Sequence, residues 1–239
     1  MFEALHPTQH RLITHRQHRE FAMHEGYAHA NDAPKPLCPV CGQELGLRAG
    51  HLKGDGHFYH QAGDHCPTKK PSARPYLGLA PTNPDAAASA RNRQFTRDWL
   101  SHIFAHLSRS DVVPFLDLGE FVAMLKEADR LNVYSYASLQ PEYIPYVFVT
   151  LINFLPSKSR KGRDGKRLRE LKFMFFYESD ITLYEDLWID AGFSSRLYRI
   201  SYEGSQPRRV AEIETATHYL NEAPARLSKA QKAWCLKYL

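Results

Sequence analysis

Cysteine is scarce in this chain: four residues in 239, at positions 38, 41, 66 and 235. So few cannot build a disulfide framework for a chain of this size, and three of them share one short window with several histidines, which suggests metal in a reducing compartment. Long hydrophobic runs are missing too. The longest, Tyr143 to Pro156, falls short of the roughly 20 apolar residues of a membrane helix and is interrupted by Pro145 and Asn153. The first thirty residues mix Arg, Glu and six histidines without an apolar stretch, so no secretory leader is expected and the cytoplasm is the expected location. There is no phosphate-cradling glycine loop, no internal repeat, and no paired His and Asp arrangement to activate a Ser or Tyr nucleophile.

What is present is ordinary globular material, 43% hydrophobic and 24% charged. The fold class expected is α+β: a small N-terminal zinc finger, then a mixed domain with a long basic β-hairpin and flanking helices. The expected divisions are a His-rich arm over 1–32, read as solvated or a short helix, a zinc-finger module over 33–70, a Pro-rich linker over 71–83, and a nucleic-acid-binding domain over 84–239. Asn83 and Pro84 read as the N-cap and first residue of a helix carrying Phe95, Trp99 and Ile103 on one side, with Arg91, Arg93, Arg97 and Arg109 read as its solvated face. A second helix is predicted over Leu118–Arg130. The segments 143–156 and 168–179 read as the two arms of the hairpin, 196–203 as a further strand, and 208–221 and 228–239 as helices. Cys235, in the last of these, reads as a packed small hydrophobe.

The window from Cys38 to Cys66 carries the clearest chemistry. Zinc takes four N or S ligands in a tetrahedron, and Cys38-Pro-Val-Cys41 is the tight turn that sets two thiolates on one ion. Gly42 follows, where the backbone has to bend sharply. Cys66 supplies a third thiolate. The fourth ligand comes from His51, His57, His60 or His65. His65 adjoins Cys66, His51 lies in a Gly-rich loop, and His57 and His60 face opposite ways in an extended chain, so one of the latter two binds and His60 is preferred. Four protein ligands leave no place for water or substrate, so the zinc is expected to be structural. Phe58 and Tyr59 read as a small core against the knuckle, with stacking on nucleic-acid bases as the alternative.

These residues resemble the N-terminal finger of the CoiA-like competence proteins: CPVCG, then HFYH, then a Cys six residues on, over about thirty residues. That resemblance implies a restriction-type nuclease domain behind the finger, opened by a Glu and His on a helix; here the corresponding residues are Ala90-Arg91-Asn92-Arg93-Gln94-Phe95. The carboxylate and Lys set that holds Mg(II) and steadies the attacking water in such nucleases would be Asp164, Glu170 and Lys172. GHLKGDGH is a degenerate match to the His-Asn-His type.

Net charge is +5, but its distribution says more. Lys158, Arg160, Lys161, Arg163, Lys166, Arg167, Arg169 and Lys172 fall between 157 and 172 against only Asp164 and Glu170, so the rest of the chain is close to neutral. With glycines at 162 and 165 this reads as an electropositive tip able to contact several phosphates of RNA or DNA, with an acidic protein partner as the competing reading. Overall organisation resembles the large subunit of type IV CRISPR effector complexes, small zinc-finger proteins of similar length. That resemblance implies a non-enzymatic subunit of a ribonucleoprotein used in antiviral defence. The basic tip would grip guide or target backbone, and base-reading side chains, for which Asn92, Gln94 and Arg97 are the candidates, would specify the adjacent motif.

Overall fold

A computed structural model describes residues 1–48, 56–61, 66–69, 83–157, 169–178 and 196–239. The chain is α+β, as expected, with the Cys/His cluster near its N-terminus.

The first residues, expected as a solvated arm or a short helix, include a short helix and are a packed part of the molecule. Strands β1 (Glu3–Leu5) and β2 (Leu12–Thr14) pair antiparallel and lead into helix α1 (His15–His24). Thr14 caps α1 through a reciprocal box with Gln17, which satisfies two end groups that helix geometry leaves open. Ala4, Ile13, His18 and Ala22 are buried. The main chain of β1 exchanges hydrogen bonds with Leu37 at one end, while Met1 exchanges them with Phe58 at 2.7 and 2.8 Å. On its other side Phe2 N–H donates to Arg208 O, and Glu3 accepts from Val210 N–H at 3.0 Å. This strand therefore ties the Cys/His module to the larger sheet. Burial of Glu3 raises its carboxyl above the usual range.

Helix α2 (Ala86–Asp98) starts two residues later than predicted, because Asp85 and not Asn83 turns its side chain onto a helix N–H. Trp99 then breaks the chain into a separate α3 (Leu100–Leu107). Helix α4 (Leu118–Arg130) has the predicted bounds, set by a capping box between Asp117 and Glu120.

The first predicted hairpin arm is mostly helix. Residues Ile144–Leu151 form α5, entered through a 3-10 turn at Pro141–Tyr143 with Pro145 in the first helical turn. All eight residues of α5 are buried, so the run shows no period by which helix and strand could be told apart. Only the end of the arm pairs as expected: Phe154 bridges Phe173, and Ser157 N–H donates to Arg169 O at 3.0 Å.

The main sheet is an antiparallel meander of β5 (Lys172–Tyr177), β6 (Leu197–Glu203) and β7 (Gln206–Ile213). The last strand occupies residues predicted as helix. Gly204, at φ +60°, makes the short turn that returns the chain beside β6, with a bulge at Ser201/Tyr202. Residues 218–221 form a single 3-10 turn, and α6 (Lys229–Leu236) lies within the helix predicted over 228–239, capped by Ser228. Phe173 to Tyr177 are buried along the whole of β5, which packs on α5, and Cys235 is buried as expected of a packed thiol.

Candidate metal centre

Two short elements bring the four ligands together. The first is the knuckle at residues 38–43, where Gly42 N–H donates to Cys38 O and Cys38 N–H donates to Gln43 O. Gly42 sits at φ +69°, the left-handed region that a side chain disfavours, so the glycine after the second thiol has the role the sequence suggested. The second is a hairpin of β3 (Gly46–Arg48) and β4 (His57–Tyr59). Alternation along β4 turns Phe58 inward, where it is fully buried among Cys38, Val40, Leu45, Leu47 and Cys66. His60, two residues on, follows that face to the thiols. His57, the alternative, lies outside the group; His51 and His65 lie outside the described residues.

Ligand atoms of Cys38, Cys41, His60 and Cys66 all lie within 4.8 Å of one another. A tetrahedral ion with metal to sulfur near 2.3 Å and metal to nitrogen near 2.0 to 2.1 Å requires about 3.8 Å between sulfurs and about 3.5 Å between sulfur and nitrogen. The Sγ atoms of Cys38 and Cys66 are 3.8 Å apart, and Cys41 Sγ lies 3.4 Å from His60 Nε2. Both the donor set and its spacing suit a single tetrahedral ion such as zinc. Thr68 Oγ1, 3.0 Å from Cys66 Sγ, is placed to support that ligand from behind. Burial pushes the Cys38 thiol well up, whereas hydrogen bonds from Cys38 and Cys41 hold Cys66 far below the usual thiol range.

Lys158, Arg160, Lys161, Arg163, Lys166 and Arg167 lie outside the described residues, as does Asp164 of the nuclease set. Arg169 is corrected: it is 6% exposed and turned inward, forked onto Glu120 and donating to the carbonyls of Pro114, Phe115 and Leu155. Such a guanidinium braces the chain at Arg169 against Glu120 and is not presented to phosphate. Asn92 is also corrected, being fully buried with its amide on Tyr134 O at 2.8 Å. Gln94 is exposed and bonds Asp98, and Arg97 donates to Leu239 O.

The other arginines of that region are engaged too, where a solvated face was expected. Arg91 reaches the carbonyls of Ala137 and Leu139, Arg93 pairs with Asp129, and Arg109 pairs with Asp111 and Glu222. Glu170 is exposed, and Lys172 lies over the Tyr202 ring at 5.2 Å.

Among the described residues no helix is long and apolar enough to cross a membrane. No protein-family model, curated protein or solved structure matches this chain.

Proposed function

We propose that this chain is a non-catalytic nucleic-acid-binding protein in which a zinc ion at Cys38, Cys41, His60 and Cys66 is a structural brace, and that it acts as a subunit of a cytoplasmic ribonucleoprotein. When bound, zinc supplies rigid cross-linking of the knuckle to the hairpin. The protein's own residues leave it no open position, because three thiols and one imidazole complete a tetrahedron.

The observation that carries the nucleic-acid reading is a charge concentration with a pinned base. Six cations and one carboxylate fall between 158 and 167; Ser157 and Arg169, which flank this segment, are hydrogen bonded to each other, and Arg169 is clamped to Glu120. Excess cations on one short segment have few internal carboxylates to meet, and a polyanion is their natural partner. Anisotropy of labelled RNA and DNA over a salt series tests this, and absence of salt-dependent binding to either sinks it. The guide-holding role implied by the likeness to type IV large subunits is tested by purifying the protein from its native host and sequencing the nucleic acid that accompanies it.

A further inference from the structure

A groove of about 510 Å³ runs between the β3/β4 hairpin and the start of β7. Its lining includes Arg48, His57, Tyr59, Lys69 and Arg208, and among the described residues no carboxylate lines it. Tyr59 lies flat over Gly46, where a Cβ would come within 2.5 Å of the ring, so glycine there is what lets the ring settle. The Arg48 guanidinium stacks over the same ring at 4.9 Å, and both side chains are exposed. Arg208 reaches Glu203 at 2.7 Å and stacks on Phe2, yet its buried Nε hydrogen finds no acceptor among the described residues. Lys69 Nζ donates to Gln61 O at 3.5 Å.

We propose that this groove is a second nucleic-acid contact, holding one or two nucleotides of a single strand with phosphate against Arg48, Lys69 and Arg208 and a base against the Arg48–Tyr59 stack. The inference rests on the nucleic-acid reading above and gives it a site separate from the basic segment. A volume of this order admits a nucleotide, and guanidinium and phenol faces are the surfaces on which unpaired bases stack. A bound ion within the neighbouring three thiolates would leave a net negative centre, and cations beside it could instead serve to balance that charge. The two roles separate experimentally.

The test uses the full chain loaded with zinc, a labelled single-stranded oligonucleotide of about 20 nucleotides, and the variants Arg48→Ala, Arg48→Lys, Tyr59→Ala and Lys69→Ala. Beside them stands a variant with the six cations from Lys158 to Arg167 changed to Gln. Arg48→Ala and Tyr59→Ala are each expected to weaken binding about tenfold, with zinc content unchanged and Arg48→Lys recovering only part, because an ammonium keeps the charge and loses the plane. A 4-thiouridine probe is expected to crosslink to the peptide containing Tyr59. Groove variants that bind like the wild type while the six-cation variant loses binding overturn the groove and leave the nucleic-acid reading standing. Zinc loss in Arg48→Ala without loss of affinity assigns the cations to charge balance and also overturns it. A wild type that binds no oligonucleotide, or yields it equally to poly-glutamate, removes both.

Discussion

Arg169 forks onto Glu120, Nη1 to Oε1 at 2.5 Å and Nη2 to Oε2 at 2.9 Å, across a separation of 49 residues. The same carboxylate completes the capping box of α4, so one side chain fixes both the start of a helix and the base of the basic segment. Arg169 also lies over the rings of Phe154 and Phe173, the pair that bridges α5's exit to β5.

Breaking this pair from either side leaves a charge with few other partners in a mostly buried place. Arg169→Ala and Glu120→Ala are each expected to destabilise the protein by about 3–5 kcal/mol. Urea unfolding measures it, and a loss below 1 kcal/mol contradicts the clamp.

Metal removal should act on the fold first. The zinc content expected by elemental analysis is one ion per chain. At a free metal concentration a thousand times its Kd, binding adds about 4 kcal/mol, which at about 2–4 °C per kcal/mol is a change in Tm on the order of 10 °C. Chelation should produce that drop, and Cys41→Ser should lose the metal.

Gly42 tests the knuckle apart from its ligands. Among the described residues, Gly42's own chain neighbours aside, no atom lies within 4 Å of the Cβ that alanine would add, so Gly42→Ala should cost only the left-handed backbone, about 1–2 kcal/mol. That cost should appear as weaker metal retention in a competition with a chromophoric chelator.

The salt dependence of binding should count the cations. Six phosphates neutralised between Lys158 and Arg167 give a slope near −5 on a duplex, about −0.9 each. Changing all six to Gln should flatten most of it. Arg169→Lys is expected to leave the slope unchanged, since that residue faces inward.

His106 should set part of the acid sensitivity. Its ring is 3% exposed between Tyr146 and Tyr219, and burial, with Arg109 nearby, lowers its pKa to about 4; His218 adds to that fall, while Glu222 and Asp111 oppose it. The unfolded chain takes up a proton near pH 6.5 and the folded chain resists it until about 4. Stability is therefore complete above 6.5 and falls as pH drops through that window. Urea midpoints from pH 7 to 4 should decline less in His106→Gln.

Much was legible where the cue is local. The two-residue spacing in Cys38-Pro-Val-Cys41, Gly42 after it, and the amphipathic period of α4 act over short stretches of chain, and each has its expected structural place. Alternation says that only one of His57 and His60 reaches the thiols; it is His60, two residues beyond the inward-facing Phe58, that joins the group. For β7, the glycine turn at 204 is the local sign of a returning strand.

Side chains and segments whose surroundings come from far along the chain were beyond such reading. The run Ile144–Leu151 is apolar on every side, so only its enclosure between α4 and β5 decides that it coils. Arg169 looks like its neighbours in a run of cations, and Asn92 like a polar helix residue. What separates them is Glu120 and the Tyr134 carbonyl, tens of residues distant. A covalent neighbourhood sets backbone preference and ligand spacing; which charges are withdrawn from solvent is settled only when distant elements close around them, because burial is a property of the packed whole.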